Sequence, residues 1–132
     1  MKASSLSFLA AVIAAATGMA WGLIMGISEN HTTMPAHAHL NLLGWVSLFL
    51  IGIFYHLNPA LDRNRIALIQ VCVWIAGTII LTLGVAMLMS GIALGNALAA
   101  AGSLIVLAAM LLFGWLVCQR EFLDESARAA AE

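Results

Sequence analysis

The sequence is poor in charge. Of its 132 residues, five are Lys or Arg and six are Asp or Glu, and the formal net charge is −1. A chain this neutral offers no basic surface, so we expect no nucleic-acid partner. Hydrophobic residues make up 64% of the sequence, well above the share in soluble domains, and the mean hydropathy is +1.06. The composition therefore predicts an integral membrane protein.

Cysteine is also scarce. Cys72 and Cys118 both fall inside apolar runs. Two such thiols are typical of packing residues and do not indicate a disulfide framework. The chain is also short enough to hold at most one domain.

Four apolar runs are long enough to cross a membrane, which takes roughly 20 helical residues each. None of them contains Lys, Arg, Asp or Glu, and a strand edge could not be satisfied in lipid. We therefore predict an all-α, integral membrane four-helix bundle over residues 1–118, followed by a polar helical tail over 119–132. The predicted spans are approximately 5–27, 37–57, 66–90 and 94–118.

The basic residues predict the orientation. Lys2 precedes the first span, and Arg63 and Arg65 lie in the connection between the second and third spans. Arg120 and Arg128 follow the fourth span. By the positive-inside rule, both termini and this connection should be cytoplasmic. The segment that carries His31, Met34, His37 and His39 should then lie at the outer face. His56 should anchor the opposite interface.

His37 and His39 stand one residue apart at the outer end of the second span. Side chains two positions apart on an α-helix point about 200° apart, so one metal ion cannot easily be held by both. His37 shares a face with Asn41 and Gly44, whereas His39 continues into an apolar stripe. One histidine should face the bundle and the other an apolar partner or subunit. Interfacial hydrogen bonding is the simpler alternative, but ionisable groups at membrane depth favour a functional site.

Two further patterns concern packing. Gly18, Gly22 and Gly26 form a ridge of small residues, which lets helices approach closely within the chain or between subunits. Three tryptophans should lie in the interfacial aromatic belts, and Trp45 should pack inside or line a site. The belt residues are Trp21, Trp74 and Trp115.

The stretch HAHLNLLGWVSLFLIGIFYHLNP, residues 37–59, resembles the second transmembrane helix of the heme-copper oxidase catalytic subunit. It is most similar to the nitric oxide reductase and cbb3-type branches, in the form His39-Leu40-Asn41. The resemblance implies that His37 or His39 is an axial ligand of a low-spin heme b, with Asn41 beside it. It also implies electron transfer near the outer face and, for an enzyme, a heme-dependent oxidoreductase.

The chain departs from that family in size and in ligands. It is far shorter than the twelve-helix subunit, and no later span carries a histidine for the opposite side of the heme. The family arranges its helices as three arcs of four, so the resemblance implies a homo-oligomer, with a trimer favoured and a dimer as fallback. His37 of one copy and His39 of the next would share a heme b. A multi-pass protein of a bacterial inner membrane, with a quinol or a periplasmic electron-transfer partner, fits this interpretation.

Copper binding is the alternative hypothesis. His31, Met34 and His37 recur at intervals of three residues in the outer segment, and imidazole together with thioether suits Cu(I). A structural subunit of a larger respiratory complex is a third hypothesis. Iron-porphyrin absorbance separates heme binding from both.

Overall fold

The computed structural model describes the backbone of residues 1–129 and the side chains of residues 1–120. Within that part the regular structure is entirely helical. The helices are α1 (Ala3–Ser28), α2 (Met34–Leu57), a single turn α3 (Pro59–Asp62), α4 (Arg65–Met89) and α5 (Leu94–Ala129). Residues 130–132 of the predicted tail, and the side chains of 121–129, lie outside the described part.

Four of these helices are long and apolar enough to span a membrane, as the sequence predicts. They are α1, α2, α4 and the segment Leu94–Arg120 of α5, and their bounds agree with the predicted spans to within a few residues. Four apolar helices indicate a multi-pass membrane protein.

Local chemistry explains where the helices begin and end. Pro35 and Pro59 lie in the first turns of α2 and α3, where a missing N–H costs no intrahelical bond. The side chain of Asn64 accepts a 2.9 Å hydrogen bond from the backbone N–H of Ile66 and so caps α4. Gly91, at φ 79°, turns the chain between α4 and α5, in a conformation that side chains disfavour.

Helix α2 changes its winding immediately after the histidines. It is α-helical over Met34–His39, π-helical over Leu40–Ser47 and α-helical again over Leu48–Leu57. Side-chain donors engage three carbonyls in and beside the π segment: Ser47 Oγ to Leu42 (2.8 Å), Trp74 Nε1 to Leu43 (3.0 Å) and Ser7 Oγ to Leu48 (2.7 Å). The faces of α2 that the sequence predicts assume α-helical winding throughout, and this assumption is wrong for Leu40–Ser47. Such segments are frequent at functional sites.

Helices α1, α2 and α4 pack on one another, and α5 lies along α4. The α4–α5 pair is the closest, because its glycines bring the two backbones together. A Cβ on Gly84 would overlap the backbone nitrogen of Ala99, and one on Gly102 would overlap that of Leu81. The two helices carry these glycines seven residues apart, at 77 and 84 and at 95 and 102. This contact was not predicted from the sequence.

Two tryptophans depart from the expected positions. Trp74 is 1% exposed and belongs to the hydrophobic core, with its indole N–H donated to the carbonyl of Leu43, so its expected place in an aromatic belt is wrong. Trp45, expected to pack inside or line a site, is 45% exposed on the surface of the chain. Hydropathy places a tryptophan at a depth but does not say which face of the helix it occupies.

Asp62 is a buried carboxylate that joins the connection between α2 and α4 to the start of α1. Its Oδ1 accepts a 2.7 Å hydrogen bond from the backbone N–H of Ser4, in the first turn of that helix. A carboxylate here accepts a hydrogen bond from a backbone N–H that has no partner within the helix, and its negative charge is stabilised by the positive end of the helix dipole. The fold therefore depends on a cap supplied from a distant segment.

We expect Asp62→Ala to lower the free energy of unfolding by about 0.5–2 kcal/mol, the range for losing a helix cap. Asp62→Asn retains an acceptor oxygen and should lose less. Thermal unfolding in detergent, followed by circular dichroism, measures both. An alanine variant as stable as the native chain would contradict this role.

Candidate functional site

His39 is held by its own helix in a defined orientation. Its Nδ1 lies 2.7 Å from the carbonyl oxygen of Pro35, one turn earlier. Since a carbonyl only accepts hydrogen bonds, Nδ1 carries the proton and Nε2 is the basic nitrogen. This is the tautomer and the support that metal-binding histidines commonly have. The ring therefore presents its Nε2 edge away from the α2 backbone.

His39 lies beside an apolar groove formed by α2, α4 and α5. The groove has a volume of about 720 Å³, and His39 lies in its wall together with Trp74 of α4 and Met110 of α5. The other lining residues are almost all apolar: Pro35, Ala38, Leu42, Leu43, Leu81, Ser103, Val106 and Leu107. The Ser103 hydroxyl donates to the Ala99 carbonyl of its own helix (2.8 Å). His39 contributes the one imidazole among these lining residues.

His37 faces the opposite way, towards α1. Its ring meets Trp21 edge-on, with the ring centroids 6.5 Å apart and the planes at 82°. Trp21 is itself fixed, because its indole N–H donates to Thr33 Oγ1 at 3.1 Å. The structure thus places the two histidines against different neighbours.

Asn41 lies one turn beyond His37. Its amide nitrogen donates to the His37 carbonyl at 2.9 Å, and it stands 3.4 and 3.3 Å from the two ring nitrogens. Near-equal distances to both nitrogens place the amide over the face of the ring. Neither ring nitrogen is therefore hydrogen-bonded in the ring plane by Asn41, and the side-chain oxygen Oδ1 of Asn41 points towards Gly18 of α1.

Gly18 and Gly22 of α1 make room for these two polar side chains. A Cβ on Gly18 would lie 2.5 Å from Asn41 Oδ1, and one on Gly22 would lie 3.1 Å from His37 Cε1. Gly26 would meet nothing within 4 Å. Two glycines of the predicted ridge thus contact α2 within the chain, where they accommodate an imidazole and an amide.

The other predicted ligands lie at the edge of the molecule. His31 is exposed, with Nδ1 3.2 Å from the Glu29 carbonyl oxygen, and Met34 is 58% exposed. His56 is exposed beside Phe8, with the ring centroids 6.3 Å apart. Among the residues described, no group of three or more His, Cys, Asp or Glu side chains is close enough to hold a metal ion.

The sequence predicted His39 as a candidate ligand but did not predict the residues around it. The support from Pro35 had a local signal, since residues four apart on a helix are neighbours. The groove had no local signal, because its walls come from three helices. Comparison with protein-family models, curated proteins and solved structures finds no match for this chain.

Proposed function

We propose that this chain binds a heme b through His39 and carries electrons near the outer face of the membrane. One observation carries the proposal: His39 lines an apolar groove of about 720 Å³, while Pro35 holds its Nδ1 and leaves Nε2 as the unprotonated nitrogen. A neutral imidazole supported in this way is a common axial ligand of heme iron. When bound, the heme would supply a one-electron redox centre.

The donor set and the groove fit a macrocycle. The volume lies within the roughly 300–1,000 Å³ of typical cofactor sites, and the lining is predominantly apolar with one convergent imidazole. Trp74 and the aliphatic side chains would exclude water, and His39 would hold the iron. The hydrogen bond from Nδ1 to Pro35 would keep the ring in place and fix the tautomer in which Nε2 can bind the iron.

A second imidazole would come from another copy of the chain. His37 lies on the α1 side of α2, and His39 on the α4–α5 side. If the α1 side of one copy faced the groove of the next, His37 and His39 would meet head-to-tail, and such contacts close into rings. Leu42, Leu107 and Met110 form an exposed apolar rim to that groove, which suits a neighbouring helix. The three arcs of helices in the family that the second span resembles imply three copies, so we propose a homotrimer, with a dimer as fallback.

Titration of the purified heme-free protein with hemin tests the proposal. We expect a saturable low-spin spectrum, with one heme per interface in native mass spectrometry. Hemin that stays free or partitions into detergent micelles would contradict heme binding. Copper bound in its place, lost on His31→Ala, would favour the alternative.

Assembly has its own test. Chains carrying His37→Ala and chains carrying His39→Ala should each lose the shared site when expressed alone. When they are co-expressed, an interface that pairs an intact His39 with an intact His37 should recover a bis-histidine heme. Separately purified variants that are mixed without subunit exchange provide the control. A monomeric, heme-replete native protein would exclude the shared site.

The proposed orientation places both termini and the connection with Arg63 and Arg65 in the cytoplasm of a bacterial cell. Alkaline phosphatase fused after Glu132 should therefore be inactive, and fused within the 28–33 segment it should be active. Green fluorescent protein fused at the same positions should give the reverse pattern and controls for expression. Active phosphatase after Glu132 would invert the topology and move the histidines inward.

A further inference from the structure

Gln70 is a buried polar side chain within a membrane span. Gln70 of α4 and Tyr55 of α2 are both 0% exposed. The Tyr55 hydroxyl donates to Gln70 Oε1 at 3.0 Å, and Gln70 Nε2 donates to the backbone carbonyl of Ala109 in α5 at 3.3 Å. An amide inside a span is costly unless it is paired, and both ends of this one have a partner. Gln70 thus links α2, α4 and α5, the three helices that form the His39 groove.

A second apolar groove, of about 230 Å³, lies between α2 and α5. It is lined by Ser47, Leu50 and Ile51 of α2 and by Met110 and Phe113 of α5. Met110 also lines the His39 groove, so the two grooves adjoin along α5. Helices α2 and α5 are therefore held apart over several turns.

An aromatic cluster closes the second groove at the end away from His39. Phe113 packs edge-on against Phe54 and Tyr55 of α2, with ring centroids 5.2 and 5.9 Å apart and planes at 78° and 88°. Tyr55 is thus fixed by its ring in this cluster and by its hydroxyl at Gln70. The contact between α2 and α5 lies beside the amide that links both helices to α4.

The glycine contacts between α4 and α5 begin two turns after Gln70. The first glycine of α4 is Gly77, where a Cβ would lie 2.8 Å from Ile105 Cγ2 and 3.0 Å from the backbone nitrogen of Val106. Gln70 precedes it by seven residues, about two helical turns. At that level the hydrogen bond from Gln70 to Ala109 joins the two helices.

The carbonyl that Gln70 contacts belongs to the groove-lining part of α5. Ala109 directly precedes Met110 and follows Val106 by three residues, and both of these line the His39 groove. A displacement of α5 at Ala109 would therefore move two side chains of the groove wall.

We propose that Gln70 is a positioning residue for the His39 groove. By linking Tyr55 of α2 to Ala109 of α5, its amide sets the separation of the two walls. Hydrogen bonds fix distance and direction, whereas apolar side chains can repack at similar volume. The consequence for the ligand rests on the proposed heme binding; the link between the helices does not.

A Gln70→Met/Tyr55→Phe variant tests the link. Methionine is similar to glutamine in length, and phenylalanine keeps the ring, so the packing is largely retained while the hydrogen bonds are lost. Nitroxide labels on α2 and α5, at Val46→Cys and Leu111→Cys, report the separation by double electron–electron resonance. Both positions are exposed, at 40% and 67%, and neither is among the residues lining the two grooves.

The labelled chain carries Cys72→Ala and Cys118→Ala and is diluted with unlabelled chain, so that only distances within one chain are measured. We expect a broader distance distribution in the double variant than in the chain with native Gln70 and Tyr55. Distributions of equal mean and width would overturn the proposal.

Two controls separate this effect from general loosening. Ser90→Ala removes a hydroxyl bonded to its own helix at Ala86, and should leave the α2–α5 distribution unchanged. Labels at Ile24→Cys of α1 and Val46→Cys of α2 should give the native distribution in the double variant. Equal broadening of this α1–α2 pair would overturn a specific role for Gln70. Should the double variant fail to fold, Gln70→Asn, which shortens the side chain by one methylene, should broaden the α2–α5 distribution in its place.

Hemin titration connects the link to the proposed site. With His39 intact, the double variant should keep a low-spin spectrum but bind hemin about tenfold more weakly, as when outer supports of a metal site are removed. Native affinity in the double variant would overturn the role of Gln70 in positioning the groove. A native chain that binds no hemin would refute the proposed function, and the distances, which need no heme, would still decide whether Gln70 links the walls.

Discussion

Replacing His39 with alanine should remove most of the bound heme. The substitution deletes the nitrogen proposed to hold the iron and leaves the apolar groove without a polar group that converges on it. Heme per chain, measured as the pyridine hemochrome after purification, should fall to near the background of the preparation. His37→Ala should also reduce the heme content sharply, since that imidazole is the proposed second ligand.

His56→Ala is the matched control. It removes an exposed imidazole from the other end of the same helix, beside Phe8, and should leave the heme content unchanged. Exogenous imidazole should restore part of the spectrum of His39→Ala, which a merely misfolded chain would not allow. Full heme with an unchanged low-spin spectrum in both His37→Ala and His39→Ala would show that the axial assignment is wrong.

Gly84→Ala should cause a large loss of stability. The new Cβ would overlap the backbone of α5 at Ala99, and a backbone cannot move aside as a flexible side chain can. Overpacking typically costs about 1–3 kcal/mol and occasionally more, and here the whole α4–α5 contact would have to open. Unfolding in a mixed micelle titrated with sodium dodecyl sulfate measures the change.

Gly114→Ala provides the comparison within α5. A Cβ there meets nothing within 4 Å, so the variant should be as stable as the native chain or slightly more stable, given the helix preference of alanine. Equal stabilities for Gly84→Ala and Gly114→Ala would show that α4 and α5 are not in backbone contact. Since α5 also forms one wall of the His39 groove, Gly84→Ala should weaken heme binding as well.

The spans could be predicted because they rest on one local property. Runs of about 20 apolar residues without charge have to cross lipid as helices, and such runs can be recognised directly in the sequence. The divergence of His37 and His39 also followed from local geometry, because both lie in the α-helical turn before the π segment. His39 consequently borders an apolar surface, and His37 faces α1 and shares its surroundings with Asn41.

The π segment, the position of Trp74 and the α4–α5 contact could not be predicted in this way, because they depend on contacts between distant segments. The π winding at Leu40–Ser47 is accompanied by donors from Ser7 and Trp74, which lie on other helices. Trp74 looked like an interfacial anchor because hydropathy carries no information about the helix face. The glycines of α4 and α5 could have been recognised, since each helix repeats them at seven residues, but a ridge of closer spacing in α1 suggested a different contact.

The most direct test of heme binding through His39 is the reduced-minus-oxidised visible spectrum of the purified native protein, recorded with iron and copper analysis of the same sample. We predict a low-spin b-type spectrum, iron in proportion to the heme and no stoichiometric copper, with the signal lost in His39→Ala. A protein that expresses well and is supplied with heme, yet shows no iron-porphyrin absorbance, would contradict this function. So would a full b-type spectrum in His39→Ala.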